Sequence, residues 1–219
     1  LTGYLAKRLA APWLRINTTF HLLTVCHICG LAMDTERTRS LLTTCLAEDT
    51  SLDASYYVSK IAREILGTEP KEFLDSKRPV ASPARCAVDD AARYLAVKTM
   101  NNQQIEETEN LTEWLQRSQN GDGGFGFFPG TTSFIENSHA ALAALSLLGA
   151  RPVDLANAKS FIISSQTGGG GFARSPGAAP FLDASWHGTA SLRLLEEMER
   201  PASALPEVSR QQSWLILSV

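Results

Sequence analysis

The chain has 219 residues, 20 Lys+Arg against 23 Asp+Glu, a formal net charge of -3 and a pI of about 5.8. That length buries a substantial core as one domain or two small ones. The near-balanced charge leaves no electrostatic footprint for nucleic acid or for an anionic membrane surface. No apolar run approaches the ~18 to 20 residues that span a bilayer.

At the N-terminus, Lys7, Arg8, Pro12 and Arg15 stand among short apolar pieces without a long apolar core, so a secretory signal is not expected. A chain beginning at Leu1 reads as processed or trimmed. Cys26, Cys29, Cys45 and Cys86 are too sparse for a disulfide framework and read as reduced thiols, which points to the cytoplasm. Cys26-His-Ile-Cys29 lacks a second Cys/His pair and lies in an apolar helical run, where small core thiols are the expectation.

The first helical pattern opens at Asn17-Thr18-Thr19, carries Leu22, Leu23, Val25 and Ile28, and closes at Gly30-Leu31. A second opens at Asp53-Ala-Ser55 and closes at Leu66-Gly67; a third follows Asp89-Asp90 with Ala91, Ala92, Tyr94, Leu95 and Val97. Two further units are near copies. Gln119 and Gln166, Phe125 and Phe172, Pro129 and Pro176, and Leu148 and Leu195 are each 47 residues apart. Each copy runs helix, Gln, polar turn, Gly-Gly-Phe, Pro-Gly, an acid, Ser, and then a helix rich in Ala and Leu. A period of this size with two helices inside it predicts stacked helical hairpins. Helices with small residues on most faces predict an inner layer, and amphipathic ones such as 111–116 and 155–163 an outer layer.

The expectation is an all-α chain, one domain over 1–219 with about five hairpins: 13–45, 52–82, 86–118, 119–165 and 166–199, then an irregular tail over 200–219. Asp53, Glu136 and Asp183, at helix starts, read first as N-caps. The Gly-rich turns lack the Lys-Ser/Thr ending of a phosphate-binding loop and read as tight outer turns. Gln119 and Gln166 are expected to bond neighbouring helix ends.

The element Gln119-Asn-Gly-Asp-Gly-Gly-Phe-Gly126, with its echo over 166–172, resembles the repeat of protein prenyltransferase β subunits, squalene–hopene cyclases and related terpene cyclases. Residues 19–34, with Cys29-Gly-Leu-Ala-Met33, resemble the opening inner helix of a prenyltransferase β subunit. The resemblance implies an α/α toroid, two helical layers around an apolar cavity. It is specific for the fold and far less so for the reaction.

Within that resemblance, Val88-Asp89-Asp90 and Ala92 match the Asp-x-Asp-Asp-Thr-Ala element of class II terpene cyclases, with Ala87 in place of the first Asp and Ala91 in place of Thr. This makes Asp89 the candidate acid for proton-initiated cyclisation and Asp90 its partner; solvated acids at a helix start are the structural alternative. The β-subunit comparison implies a zinc site instead, with Asp89 and His139 as ligands and Cys86 replacing the thiolate that Ala91 lacks. Mg2+ is the other ion to consider; no cofactor is demanded by the pattern. Arg85 and Arg93 are the candidate diphosphate ligands, beside Arg78 and Arg174.

Tyr56, Tyr57, Tyr94, His139, Trp186 and His187 are candidates to line an isoprenoid cavity, where aromatic faces stabilise carbocations; the aromatic rings fit equally as core filler. His187, one position later in its repeat than His139, is expected to face differently. Three readings follow: a cyclase acting on a linear prenyl substrate, a zinc-dependent prenyltransferase β-like subunit with a helical partner, or a non-catalytic toroid binding a lipid or scaffolding a partner. About five hairpins are expected to leave the ring open, for a partner or a lost segment to close, and a helical partner subunit or a homo-oligomer is the association to consider.

Overall fold

The structure, a computed structural model, describes residues 2–9, 15–74 and 87–200. Arg78, Arg85, Cys86 and the tail beyond Arg200 lie outside them.

Helix α1 (Thr2–Leu9) is followed by α2 (Ile16–Ile28), α3 (Thr35–Glu48) and α4 (Leu52–Lys60), which continues as a π-helical turn over Ile61–Ile65. Next come α5 (Val88–Met100), α6 (Thr108–Arg117), α7 (Ile135–Leu147), α8 (Leu155–Ser164) and α9 (Leu182–Glu199). Among the described residues there is no strand, only isolated bridges such as Gln119–Phe125 and Gln166–Phe172 that close the Gly-rich turns. The all-α expectation holds. No described helix is long and apolar enough to cross a membrane.

The chain divides into two units, Leu1–Ala81 with Val97–Gln103, and Ser82–Ala96 with Gln104–Val219. In the first, α2 and α3 pack on α4, and α1 on α2. Gly30 and Gly67, both at φ +63, end the first two helical patterns where the sequence places the stops. Cys26 is buried as expected, but Cys29 follows the last turn of α2 and is exposed.

In the second unit α7 packs on α9, α8 on α9 and α6 on α7. Helix α7 is buried on nearly every face from Asn137 to Leu145, whereas α8 buries only Ala158, Phe161 and Ile162. Inner and outer layers are therefore visible within this unit, and small side chains on α7 are what permit close packing all round.

The acids at the inner-helix starts are not caps. At α4 the cap is Ser51, whose hydroxyl accepts from Ala54 N–H; Asp53 sits inside the first turn. The residues preceding α7 and α9 are Phe134 and Phe181, which offer no side-chain acceptor, so Glu136 and Asp183 also fall within the first turn. There a carboxylate acts on the helix dipole rather than on a specific N–H. Two other helices do carry aspartate caps, Asp34 on α3 and Asp154 on α8.

The adjoining loop is tied to the starts of α7 and α9 through a serine. Ser138 Oγ accepts from Phe125 N–H at 2.9 Å and donates to Phe134 O at 2.9 Å; Ser185 does the same with Phe172 and Phe181. Gln119 bonds both ways with Asp154, Nε2 to its carbonyl at 2.8 Å and Oε1 from its N–H at 2.9 Å, as expected of a residue joining helix ends. Among the described residues the Gln166 side chain bonds within its own turn, to Gly170 O at 3.2 Å; the position equivalent to Asp154 is Pro201, outside the described residues. Gly123, at φ +88, lies so close to α8 that a Cβ would stand 2.1 Å from Asn157 O. That contact requires glycine on both counts.

Ser138→Ala leaves the Phe125 N–H buried without its acceptor, which costs about 1–3 kcal/mol. Urea denaturation is expected to show that loss, while Ser160→Ala, on the exposed side of α8, stays within about 0.5 kcal/mol.

Candidate functional site

Helix α5 begins at Val88 because the Asp-Asp pair suits a first turn and Ala91, Ala92, Tyr94 and Leu95 supply a buried face. Asp89 and Asp90 stand on that turn with side chains 37% and 43% exposed. Arg93, one turn on, donates from Nη1 to Asp89 Oδ2 at 2.8 Å and lies 3.6 Å from Asp90 Oδ1. Asp89 Oδ1 is buried and has no hydrogen-bond partner among the described residues. The carboxyl is thus held at one oxygen by a guanidinium, while the other oxygen is buried. Arg93 is engaged with these two carboxylates, which occupies the side chain named above as a diphosphate ligand.

The remaining sequence candidates form two groups. Tyr56 and Tyr57, both buried, are on α4 in the first unit, their rings 5.1 Å apart and Tyr57 5.7 Å from Phe20. Tyr94, His139, Trp186 and His187 belong to the second unit. Burial raises the Tyr94 hydroxyl above its usual pKa, with Glu106 and Glu107 adding to the effect.

His139 on α7 and His187 on α9 meet with their Nδ1 atoms 3.1 Å apart, both rings buried. The Trp186 ring lies 4.9 Å from His139 and 5.1 Å from His187. The two histidines, one position apart in their repeats, nevertheless meet. Within its own repeat each ring does have a different heading, but α7 and α9 are side by side. Two residues reach each other across such a contact because their headings differ, since equivalent positions point the same way. One Nδ1 must donate and the other accept, so the neutral rings are opposite tautomers. Burial lowers the His187 pKa, opposed by Asp183, 3.7 Å from Nε2, and by Glu136.

Among the described residues no group of three or more His, Cys, Asp and Glu side chains is arranged to hold a metal. Asp89 is engaged by Arg93 and His139 by His187, while Cys86 lies outside the described residues. The described donor set does not fit zinc, and no step is routed through a metal.

Two features escaped the sequence reading. The first is the full reach of the repeat. Val88 N–H donates to Phe127 O at 3.2 Å, and Ile135 N–H to Arg174 O at 2.9 Å. Donors and acceptors are both 47 residues apart, so α5, α7 and α9 share one register and Asp89, Glu136 and Asp183 are the same position three times. Extending the subtraction backward from Glu136 would have found it. The three acids meet different groups: Asp89 takes Arg93 of its own helix, Glu136 takes Arg174 of the next loop, and Asp183 faces the His187 ring.

The second is Lys60, completely buried, with Nζ 2.9 Å from Glu64 and 5.1 Å and 5.8 Å from the ring centres of Phe20 and Tyr56. Its i, i+4 acid was visible in sequence, but its burial was not. Burial lowers the Lys60 pKa and raises that of Glu64, each opposed by the other's charge.

Against known families, residues 85–176 match the squalene-hopene cyclase N-terminal domain and residues 139–218 match the prenyltransferase alpha-alpha toroid domain. The chain belongs to the prenyltransferase/terpene cyclase α/α toroid superfamily. The cyclase match contains Asp89, Asp90, Arg93 and the first Gly-Gly-Phe loop, and the toroid match contains the whole of α9. No individual curated protein matches the chain.

Removing one member of a buried ion pair strands the other, at a cost of about 3–5 kcal/mol. Lys60→Met should show that loss in urea at pH 7, and Lys60→Met/Glu64→Gln should recover most of it. The single variant also carries a pH signature. A carboxyl whose folded pKa is raised stabilises the fold fully below its unfolded value and loses that contribution as pH rises through the folded value. Stability of Lys60→Met should therefore fall as pH rises above the ordinary glutamate value of 4.5, and the double variant should lack that slope.

Proposed function

We propose that this member of the superfamily is an isoprenoid-processing enzyme that cyclises a linear prenyl substrate, with Asp89 as the proton donor. The observation that carries the reading is the asymmetric environment of the Asp89 carboxyl: Oδ2 tied to Arg93, Oδ1 buried and without a hydrogen-bond partner among the described residues. Protonating an alkene needs an oriented O–H with no competing acceptor. Oδ1 is the oxygen on which such a proton is directed. Once it has moved to the alkene carbon, the negative charge left on the carboxylate already faces the guanidinium, so little reorganisation is needed. Asp90 shares that guanidinium at longer range and acts as a positioning residue. The position of Asp89 within the segment resembling a squalene-hopene cyclase domain supports the same reading.

Aromatic side chains near the carbocation would stabilise it through their π faces; Tyr94 and Trp186 are the candidates in the unit that holds Asp89. The transferase reading lacks a comparable observation, since Asp89 and His139 are each engaged by partners other than a common centre.

The test is turnover of linear prenyl substrates of graded length, with products separated by gas chromatography and mass spectrometry. Positioned acid catalysis contributes about 10²–10⁴-fold, so Asp89→Asn should lose at least about 100-fold in kcat with KM little changed, and Asp90→Asn should lose much less. Undiminished turnover by Asp89→Asn removes Asp89 from the mechanism. Saturable binding of a prenyl diphosphate without turnover by the native chain would replace catalysis with a carrier role.

A further inference from the structure

The shared register sets Phe127 against Arg174. Each is the residue whose carbonyl receives the first N–H of an inner helix, Val88 N–H at 3.2 Å and Ile135 N–H at 2.9 Å. From that place the Arg174 guanidinium stacks 4.2 Å from the Phe134 ring centre and pairs with Glu136, so the acid of α7 is clasped by the loop of the next repeat. At α5 both parts of the clasp have changed. Phe127 brings a phenyl ring where Arg174 brings its charge, and Ala87 stands where Phe134 supplies the ring. The aromatic group has crossed from the residue before the helix to the loop, and no guanidinium comes with it. Phe127 is held there edge to face against Phe128, ring centres 4.8 Å apart. Asp89, the equivalent of Glu136, takes its arginine from the other side: Arg93 of its own helix, at Oδ2. The position of Arg93 is Ala140 in α7, so each of these two acids meets one arginine, from opposite directions.

We infer that Phe127 is a positioning residue for Asp89: it fills the clasp position without a charge and so keeps Oδ1 available to carry a proton, which Arg174 denies to Glu136. This role rests on the reading of Asp89 as the proton donor. A guanidinium keeps its charge throughout the range in which proteins are folded, and its hydrogen bonds to a carboxylate favour the ionised form. One arginine at Oδ2 steadies the charge left after the proton has gone. A second, reaching Oδ1 from the loop, would leave neither oxygen for the proton. The choice of phenylalanine over arginine at one loop position thus decides which copy of the acid can act.

The test restores the clasp. Phe127→Arg is made in the full 219-residue chain, arginine is isotope-labelled, and the guanidinium Nε–H signals are followed by NMR beside turnover of linear prenyl substrates. The introduced Nε–H should be displaced and protected from exchange. In Phe127→Arg/Asp89→Asn it should return to the behaviour of an exposed arginine such as Arg117. The Arg174 signal, unmoved, reports that the variant is folded. Turnover by Phe127→Arg should lose at least about 100-fold in kcat, the contribution of a positioned acid, with KM little changed. Phe127→Met, apolar and uncharged, should keep most of the native kcat; a merely structural ring would make both variants fall together. Four results overturn the assignment: no displaced signal, a signal that survives Asp89→Asn, native turnover by Phe127→Arg, or an equal loss in Phe127→Met. If the native chain turns over no prenyl substrate, the cyclase reading fails by itself, and the Nε–H signal alone decides whether the residue at position 127 governs what Asp89 meets.

Discussion

The second unit depends on a backbone hydrogen bond that crosses from one repeat to the next. Every helix begins with N–H groups that its own turns cannot satisfy. At α7 the preceding residue is Phe134, which has no acceptor to offer, and the first N–H is taken up by Arg174 O, contributed by a loop 39 positions further along. Val88 and Phe127 repeat the arrangement at α5. The serine one turn in, Ser138 or Ser185, then fastens the repeat's own Gly-Gly-Phe loop to the same helix. A repeat of this kind is completed by its successor, which is why the units stack and why one alone would leave polar backbone unsatisfied.

That construction also explains where chemistry can vary. The first turn of each inner helix is a common platform for an acid, Asp89, Glu136 or Asp183, and at α5 and α7 the neighbouring loop supplies the bond to the helix's first N–H. What differs is the group each acid meets. Glu136 is drawn into the repeat interface by Arg174, and Asp183 faces a buried histidine, while Asp89 is steadied by an arginine of its own helix with one oxygen left over. A single position thus serves as an interface clasp in one copy and as a candidate acid in another. The small residues of α7 act in the same economy: they let α9 approach closely enough for His139 and His187 to touch.

Much of the architecture was legible in the residues. The 47-residue step, the glycine stops at Gly30 and Gly67, the buried Ala-rich helix and the Gln119 bracket to α8 all follow from local pattern, because period and turn chemistry are local properties. The site was legible only in part. Asp89 could be found by resemblance, but its guanidinium partner and its bare oxygen are facts of side-chain placement. The assignment of caps to Asp53, Glu136 and Asp183 failed by two residues in each case, because the helices begin at Leu52, Ile135 and Leu182 and each acid falls in the first turn. Lys60 reads as an ordinary polar residue after Tyr56-Tyr57-Val58, and only packing around α4 reveals that it is buried against Glu64 and aromatic rings.

By itself, then, the amino-acid order determined the helical class, the repeat and its register, because each depends on spacing along the chain. Tertiary structure decided which acid is paired and by what, and which histidines meet. Those outcomes arise between helices far apart in sequence, where a shift of one residue turns a side chain by about 100° and changes what it can touch.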